Sequence, residues 1–419
     1  MDPISSPRGA TEFSRRHFLH GAALTSAAGI TTSAAEPTAK TVSSGGAVST
    51  MIRPEAANPE NLPPVAPPDK QPPTLNVPKP QKKLGWAVVG LGGLALEQIL
   101  PAFGACSRSK LTALVSGHPN KARQLAEVHG LSTDSIFNYD NFDRIQSDSD
   151  IDVVYIVLPN SLHAEYTIRA LEAGKHVLCE KPMAVSVAEC EAMIAAAKKA
   201  NRKLAIGYRL HHEPMNLATA RMCQEQKFGK IKTFKASNCQ TTEAPNIRLS
   251  GPLGGGPLGD LGIYCINAAR YTLGEEPVEA IATQTALDPK SRFREVPETV
   301  SFTLRYPSGV TAICECSFGT AKSSAYQVLC EKGVIQMNPA YYYSGLHLWT
   351  ESMKDGVPTR TELNIPPINQ FASEMDNFSQ CILENHETRT PGEMGLKDVR
   401  IILAVMESAR RGGEPVKLA

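Results

Sequence analysis

The 419-residue sequence lacks several features that would point directly to a function. It has no CxxC pair and no Cys/His cluster at metal-ligand spacing, so no metal site is expected. Its 43 Lys and Arg residues balance 42 Asp and Glu, and this even charge gives no general attraction to nucleic acid or acidic lipid. Runs of about 18 apolar residues, as in transmembrane helices, are absent, as are nucleophile-elbow and triad signatures. Nucleic-acid binding, a membrane span and triad hydrolysis are therefore not expected.

Disulfides are not expected either, although the sequence has ten cysteines. Seven of them fall in apolar strand-like or helix-like runs, namely Cys106, Cys179, Cys190, Cys314, Cys316, Cys330 and Cys381. Because a free cysteine in such a run behaves as a small hydrophobic residue, buried thiols are expected.

The amino-terminal segment has the pattern of an export signal. Ser14-Arg15-Arg16-His17-Phe18-Leu19 precedes a short apolar run over 21–30, and Ser33-Ala34-Ala35 follows. Paired arginines, a short apolar region and a small-residue cleavage site are typical of a twin-arginine signal peptide. We expect residues 1–35 to be this signal and the cleaved protein to be periplasmic, without membrane attachment. The alternative is an unstructured tail with chance arginines.

Proline is the residue type in excess, with 31 in the chain and ten of them between Pro54 and Pro80. Residues 36–83 are polar and have no periodic apolar pattern, which favours an extended polyproline II segment over a folded core. Such a segment is either a free linker or an arm that lies on another surface. Because signal cleavage would leave nothing on its other side to link, we favour the arm.

From Leu84 onward, short β-branched runs alternate with amphipathic helical stretches. This alternation predicts a parallel sheet with helices on both faces, a doubly wound Rossmann domain over 84–207. The expected strands are Trp86–Val89, Leu111–Ser116, Val153–Leu158, His176–Cys179 and Leu204–Gly207. The expected helices are Leu94–Ala105, Asn120–His129, Leu162–Ala173 and Val187–Ala200.

Residues 208–419 have longer alternating strands, and tight turns at 307–309 and 332–333 predict antiparallel neighbours. The expected strands are Val300–Leu304, Val310–Phe318, Ala325–Glu331 and Gly333–Met337, and the closing helices are Gln370–Glu384 and Leu396–Arg410. We expect an α+β domain with an open, mainly antiparallel sheet and helices on one face. Its last helix should pack back toward the Rossmann domain. The other face of the sheet is free to meet a second subunit in a homo-oligomer.

A glycine-rich turn, Gly90-Leu91-Gly92-Gly93-Leu94-Ala95, joins the first expected strand to the first helix. This is G-x-G-x-x-A in the strand–turn–helix context that dinucleotide binding requires. Gly90 makes the tight turn, Gly92 lets a pyrophosphate approach the backbone, and Ala95 permits close packing of helix on strand. The helix amino terminus then faces the phosphates. The alternative is a glycine-rich turn without a ligand.

The second strand ends without the carboxylate that would bind the ribose 2′-hydroxyl of NAD. It reads Leu114-Val115-Ser116-Gly117, and His118, Lys121 and Arg123 follow. A hydroxyl and cations in place of a negative charge predict NADP as the cofactor. Lys121 and Arg123 would also fit an ordinary solvated helix face.

Three further motifs follow in the order that a sugar dehydrogenase needs. Leu158-Pro159-Asn160, with His163 after it, ends one strand, and Glu180-Lys181-Pro182 ends the next. Both lie at the edge where doubly wound sheets bind ligands, so they are expected to contact the cofactor. The third motif, Gly254-Gly255-Gly256-Pro257-Leu258-Gly259-Asp260-Leu261-Gly262-Ile263-Tyr264, opens a helix.

Asp260 and Tyr264 stand four residues apart on that helix and therefore on one face. Moving a hydride between a nicotinamide and a carbinol carbon requires a proton to move on the attached oxygen. A tyrosine beside an ammonium can move it, because the positive charge favours the phenolate. Lys181 is expected to supply that charge, and Asp260 to orient the sugar by accepting hydroxyl protons. Each residue taken alone has another explanation. Lys181 would fit a surface ion pair, Asp260 a charge at a helix terminus, and Tyr264 a packing side chain.

Four more residues are candidates for the two binding sites. Tyr208 and His211 follow the last Rossmann strand and could line the substrate pocket, and Arg209 between them is assigned to the cofactor. A structural histidine is the alternative for His211. Arg248 belongs to the segment 240–253, which is expected to line the sugar pocket.

Together these motifs resemble the family of glucose–fructose oxidoreductase, inositol dehydrogenase and their relatives, from about Leu84 to the carboxyl terminus. Within the family the chain looks most like the glucose–fructose branch. Its export signal and its proline-rich arm are also similar to that branch. Many relatives carry His where Tyr264 stands, and Tyr marks the sugar-oxidoreductase branch. The stretches that carry this resemblance are Gln98–Pro101, Leu114–Gly117, Leu158–Glu165 and Leu273–Pro277.

The resemblance implies tightly held NADP, with Lys181, Asp260 and Tyr264 at the reaction centre. It implies that one sugar is oxidised at C1 to the lactone, and that a second, fructose-like sugar is reduced to the polyol by the same cofactor. It also implies an arm that reaches around a neighbouring subunit. Ile247 precedes Arg248 where relatives often carry an aromatic residue, so the two sugars could differ from glucose and fructose.

Three other functions stay open at this point. The first is an ordinary NADP-dependent aldose dehydrogenase, or an aldose–aldose oxidoreductase, that exchanges its cofactor. The second is an NAD-dependent glycosidase of the same family that uses transient oxidation. The third is a protein that binds the cofactor without chemistry.

Overall fold

The computed structural model of the protein describes residues 82–287, 290 and 292–418. The signal peptide predicted for 1–35 lies outside the described residues, and so does the arm predicted for 36–83 except for Lys82 and Lys83.

The first sheet has six parallel strands in the order β3-β2-β1-β4-β5-β6. Helices cover both of its faces, which is why every residue of β1 and β4 is buried. The strand order reverses between β1 and β4, and doubly wound sheets bind ligands at that point, beyond the carboxyl ends of the strands. The strands are β1 Leu84–Val89, β2 Ser109–Val115, β3 Ile136–Phe137, β4 Val153–Ile156, β5 His176–Glu180 and β6 Leu204–Gly207.

The helices of this domain begin and end within about two residues of the predicted positions. The first, α1, covers 93–105 and contains a π-helical section, Ala95–Ile99. The other three are α2 Pro119–Val128, α3 His163–Glu172 and α4 Val187–Ala200. Helix α4 illustrates the local rules: the Ser186 hydroxyl accepts from the Glu189 amide at its start, and Asn201 ends it in the left-handed conformation.

The second sheet has nine strands in the order β14-β13-β12-β11-β7-β10-β9-β8-β15. Every neighbouring pair in it is antiparallel except β7 and β10, which are parallel. The strands are β7 Ile231–Cys239, β8 Glu279–Thr285, β9 Thr299–Arg305, β10 Thr311–Ser317, β11 Ser323–Cys330, β12 Gly333–Met337, β13 Leu348–Lys354, β14 Val357–Glu362 and β15 Val416–Lys417.

Among the described residues, helices cover one face of the second sheet and leave the other face open. On β9 the side chains of Val300, Phe302 and Leu304 are buried, while Ser301 and Arg305 are exposed. Helix α6, formed by the π-helical section Leu258–Gly262 and the α-helix Ile263–Leu273, packs on β7 and β10. The remaining helices are α5 Pro214–Gln224, α7 Gln370–Leu383 and α8 Gly392–Arg410.

The last two helices tie the domains together. Phe378 of α7 packs edge-on against Trp86 of β1 at 6.1 Å, and the Trp86 indole donates to the Ser379 hydroxyl at 3.1 Å. Helix α8 contacts α4 and β6 of the Rossmann domain as well as β8. The predicted fold class, a Rossmann domain with a mainly antiparallel second domain, is confirmed.

All ten cysteines lie in the described part of the chain and all are free thiols, nine of them buried. Within residues 82–418, apart from the three undescribed positions, no helix has the length and apolar character that crossing a membrane requires.

Candidate active site

The glycine-rich turn closes the gap between the ends of β1 and β4. Gly90 has φ +94°, and a Cβ atom there would lie 2.2 Å from the Val157 carbonyl oxygen. Only glycine fits this position, because any side chain would meet backbone in a conformation that L-residues avoid. The turn therefore holds the start of α1 directly beside the crevice of the sheet.

The next two glycines, Gly92 and Gly93, have open space where a side chain would lie. A Cβ on Gly92 would meet no atom within 4 Å, and one on Gly93 would meet only a Glu97 carboxylate oxygen at 3.6 Å. No contact among the described residues requires glycine at Gly92, and the missing side chain suits a ligand that approaches the backbone. Ala95 is fully buried against the sheet, Leu91 is buried and Leu94 is half-buried, so the backbone is what this loop presents. The loop fits the pyrophosphate of a dinucleotide.

Lys121 of α2 reaches this loop, and its ammonium donates to the Leu91 carbonyl at 2.7 Å. Ser116 is buried, and its hydroxyl accepts from the His118 amide at 3.1 Å, which shapes the turn through Gly117. The cation and the hydroxyl thus lie at the end of β2, where an acidic residue would select NAD. The arrangement suits a 2′-phosphate.

Lys181, which follows β5, joins the two domains at their shared crevice. Its ammonium donates to the Asp260 carbonyl oxygen at 2.8 Å and lies 3.2 Å from the Asp260 carboxylate. The same ammonium lies 4.7 Å from the centre of the Tyr264 ring. The structure therefore brings the three predicted catalytic residues together. Burial opposes the charge of the ammonium, but nearby negative groups raise the pKa of Lys181.

Asp260 also holds the predicted substrate residue Arg248, whose Nε donates to its second carboxylate oxygen at 2.7 Å. Burial alone would raise the pKa of Asp260, but Lys181 and Arg248 lower it to about 2. The carboxylate is therefore ionised throughout the physiological range. It can only accept hydrogen bonds, as a group that orients sugar hydroxyls must.

The catalytic helix begins in an unusual form. Leu258–Gly262 is a π-helical section, a feature that often marks functional sites. A Cβ on Gly262 would lie 2.9 Å from the Cys316 sulfur, so this section packs tightly on the second sheet. The second sheet therefore holds in place the start of the helix that carries Asp260 and Tyr264.

Of the three glycines before this helix, Gly254 allows the two domains to touch, and Gly255 allows the segment to pack on its own backbone. A Cβ on Gly254, at φ +76°, would lie 2.6 Å from the Val185 side chain, and one on Gly255 would lie 2.4 Å from the Arg248 carbonyl. The Asn160 amide donates to the Gly254 carbonyl at 2.8 Å. Asn160 therefore fixes the catalytic segment against the loop after β4, beside the position predicted for the cofactor.

His163 and Leu158 were both predicted to contact the cofactor, and both side chains are buried. His163 is fully buried, with its ring nitrogens 2.8 Å from the Pro182 carbonyl and 2.9 Å from the Leu158 carbonyl. Burial lowers the pKa of its ring. Both nitrogens are occupied by the chain, so His163 connects two loops behind the crevice and does not face a cofactor. Leu158 is buried as well.

Glu180 and Arg209 also lie deeper than predicted. Glu180 is buried and accepts from the Tyr155 hydroxyl at 2.8 Å, and its burial raises the pKa of the carboxyl. Arg209 is 3% exposed, and the central carbon of its guanidinium lies 5.2 Å from the centre of the Tyr264 ring. Its contact with the cofactor stays a prediction.

Tyr208 and His211 lie beside the catalytic group. A small cavity lined by Lys181, Tyr264 and Tyr208 extends to Asn267. The Asn267 amide donates to Asp398 at 2.9 Å, so its oxygen accepts from His211 Nε2 at 2.7 Å. Burial lowers the pKa of His211. The ring is therefore neutral with its proton on Nε2.

Motif reasoning did not identify the groups that surround Arg209. They are Tyr341, Tyr342, Tyr343, Gln370 and Glu374, all far away in sequence. No spacing rule connects them to the glycine loop; the run of three tyrosines was the one available signal. Among the described residues, no three His, Cys, Asp or Glu side chains are placed to hold a metal ion.

Comparison with known proteins agrees with this arrangement. Residues 84–208 match an oxidoreductase family with a NAD-binding Rossmann fold, and residues 217–336 match the GFO/IDH/MocA C-terminal domain. The chain is 30% identical to D-xylose 1-dehydrogenase (NADP(+)) of Haloarcula marismortui, over 77% of this chain and 90% of that protein.

Two solved structures are also similar. An aldose–aldose oxidoreductase from Caulobacter crescentus, complexed with glycerol, is 42% identical with a TM-score of 0.77, over 80% of this chain and all of that one. A 3-ketoreductase from Actinomadura kijaniata, in complex with NADP and TDP-benzene, is 27% identical with a TM-score of 0.69, over 78% of this chain and 98% of that one. With both domains matched and Lys181, Asp260 and Tyr264 brought together in one crevice, this chain belongs to the GFO/IDH/MocA family of oxidoreductases.

Proposed function

We propose that the protein is a sugar oxidoreductase that oxidises an aldose at C1 to the lactone and reduces a second sugar with the same bound NADP. The observation that carries this proposal is the Lys181 ammonium, which lies between the Asp260 carboxylate and the Tyr264 ring. This group stands at the crevice beside the glycine loop. It supplies a proton acceptor, a positive charge and a hydroxyl-binding carboxylate at one place.

NADP is the cofactor, as the hydroxyl and cations at the end of β2 predicted. The xylose dehydrogenase relative is named for NADP(+), and the 3-ketoreductase structure contains NADP. The loop from Gly90 to Ala95 would hold its pyrophosphate, and Lys121 and Ser116 would face its 2′-phosphate. When bound, NADP accepts a hydride from one sugar and donates a hydride to the next.

Tyr264 carries the proton in both halves of the proposed cycle. Its Oη takes the proton from the C1 hydroxyl as C1 loses a hydride, so the aldose leaves as the lactone. It later gives that proton to the carbonyl oxygen of the acceptor, whose carbon receives the hydride. Lys181 stabilises the negative charge on the sugar oxygen in each direction, and Asp260 accepts the neighbouring hydroxyl protons.

The identity of the acceptor sugar is part of the proposal. The resemblance to the glucose–fructose branch implies a fructose-like acceptor, whereas the structure that is 42% identical is an aldose–aldose oxidoreductase. That similarity covers the whole of the other chain and supports an aldose as the acceptor. We further propose a periplasmic homo-oligomer, on the basis of the signal pattern in 1–35 and the open face of the second sheet.

The decisive experiment incubates purified protein with an aldose and a second sugar, without added cofactor. We expect lactone and polyol to appear together in equal amounts over many turnovers. A panel with xylose, glucose or fructose as acceptor separates an aldose acceptor from a ketose acceptor. Reduction of added NADP by one aldose well beyond one equivalent would instead show an ordinary dehydrogenase. Release of a monosaccharide from a glycoside without net redox change would show a glycosidase.

Tyr264→Phe is the matched variant for this assay, because it removes one oxygen and keeps the ring under Lys181. We expect bound NADP to be retained and turnover to fall by at least roughly 100-fold, the range of general acid–base contributions. Normal turnover by this variant with cofactor bound would rule out the proposed proton acceptor.

A further inference from the structure

Arg209 is a buried cation held from several sides. Its guanidinium donates to the Tyr341 carbonyl at 2.5 Å, to the Tyr342 carbonyl at 3.3 Å and to the Gln370 side chain. The acceptors come from the loop before β13 and from the first residue of α7. Since a guanidinium is planar and rigid, three acceptors in different directions fix its orientation.

The guanidinium lies between two tyrosine rings. Its central carbon is 5.2 Å from the centre of the Tyr264 ring and 4.6 Å from that of Tyr343. One of its nitrogens, Nη2, also donates to the Tyr264 hydroxyl at 3.4 Å. Arg209 is thus aimed at the oxygen that the proposed reaction protonates and deprotonates.

Lys181 and Arg209 both lie near Tyr264, and they differ in whether an ion pair offsets their charge. Lys181 lies near the ring, but its charge is offset by Asp260 at 3.2 Å, and Asp260 also pairs with Arg248. Arg209, in contrast, forms no ion pair with any of the residues that the structure describes. Its positive charge is therefore available to the Tyr264 oxygen.

Two buried carboxyls on the far side of Arg209 could compete for that charge. Glu374 is 1% exposed, and neither of its carboxyl oxygens has a hydrogen-bond partner among the described residues. Burial raises the pKa of Glu374 well above its ordinary value, and it also raises the pKa of Glu180. Burial therefore disfavours the charged form of both carboxyls, which is the form that would compete for the charge of Arg209.

We propose that Arg209 supplies the counter-charge for the Tyr264 oxygen, and that Gln370 and the 341–343 segment hold it in place. This inference rests on the proposed function, in which Tyr264 accepts the proton. In this proposal Arg209 acts on the Tyr264 oxygen from the interior of the protein and does not contact the cofactor. A hydrogen bond to a charged group of this kind changes an equilibrium by roughly 10- to 100-fold.

The test compares Arg209→Gln with Arg209→Lys, because glutamine keeps hydrogen-bond donors for the carbonyls while lysine keeps the charge. The measurement is the single-turnover reduction of bound NADP by an aldose across a pH series. We expect Arg209→Gln to be slower by roughly 10- to 100-fold at neutral pH, with the gap closing as pH rises. Arg209→Lys should recover most of the loss. A loss that is equal at every pH, or equal in the two variants, would overturn the proposal.

A second measurement works without any sugar. The near-ultraviolet tyrosinate absorbance that is lost in Tyr264→Phe should form at higher pH in Arg209→Gln than in the wild type. Absorbance that forms at the same pH in both would contradict the role of Arg209. If no aldose reduces the wild-type cofactor, the proposed function fails, but this titration still decides what Arg209 does. Glu374→Gln is the matched buried control, and it should leave both profiles unmoved.

Discussion

The carboxyl of Glu374 is the least satisfied polar group near the site, and its protonation should be visible in the stability of the protein. Because burial raises the pKa of Glu374 well above normal, the folded chain keeps a proton that the unfolded chain releases above about pH 4. The free energy of unfolding therefore falls as pH rises through this window. The slope from this group is about 1.4 kcal/mol per pH unit.

Glu374→Gln removes that proton exchange without changing the shape of the side chain. We expect the variant to gain stability relative to the wild type as pH rises above about 4. Urea denaturation of both proteins over a pH series measures this difference, and all other carboxyls cancel in the comparison. A difference that is constant with pH would contradict it.

Single residues show how far the sequence was informative about the site. Lys181, Asp260 and Tyr264 could be found because each stands in a short motif at the end of a strand or the start of a helix. His163 and Arg209 lie in equally suggestive places, but whether a side chain faces the crevice or the interior depends on loops far away in sequence. The loop that encloses Arg209 is about 130 residues further along the chain, as its bond to Tyr341 shows.

At the scale of elements, one carboxylate of helix α7 accepts four hydrogen bonds from the Rossmann domain. Asp376 accepts from the Ser107 amide at 2.5 Å, the Ser107 hydroxyl at 2.7 Å, the Arg108 amide at 2.9 Å and the Ser109 hydroxyl at 2.9 Å. These donors lie at the turn between α1 and β2. The same helix carries Gln370 and Glu374, so its docking also places the groups around Arg209.

Asp376→Ala leaves those four donors without their acceptor. We expect the free energy of unfolding to fall by about 1–3 kcal/mol, since water replaces the carboxylate only in part. Asp143→Ala is the control, because Asp143 is largely exposed and its pair with Arg169 should contribute less than about 1 kcal/mol. Chemical denaturation of both variants measures the two losses in the free energy of unfolding. Equal losses would show that Asp376 contributes no more than an exposed ion pair.

The elements themselves were largely predictable, but the order of the second sheet was not. The turns at 307–309 and 332–333 join antiparallel neighbours, β9 with β10 and β11 with β12, as predicted. Between these two pairs lies β7, parallel to β10, which no local pattern indicated. Its partners are about 80 residues away, and long-range pairing leaves little trace in spacing. The π-helical start of α6 was not predicted either, and it packs against Cys316, which is about 50 residues further along the chain.

At the scale of the whole molecule, the site exists only where the two domains meet. Lys181 and Asn160 come from the Rossmann domain, and both bond to the segment that begins at Gly254 and includes Asp260. A dinucleotide held by the glycine loop would therefore stabilise the contact between the domains as well as the loop itself. The proline-rich residues 36–83 are predicted from the sequence to be an arm, and we propose that this arm slows the release of NADP.

Deletion of residues 36–81 tests that role, because the described fold begins after them. We expect the shortened chain to fold but to lose NADP on dialysis roughly tenfold faster, the equivalent of about 1.4 kcal/mol, or to form smaller assemblies. Gly92→Ala is the positive control for cofactor loss, since its added Cβ would enter the open space of the loop without meeting any chain atom. Bound NADP after dialysis and sedimentation mass are the two measurements. If the deletion changes neither while Gly92→Ala loses NADP, the segment is a plain linker, because an arm on the cofactor or on a neighbouring subunit cannot be removed without weakening one of them.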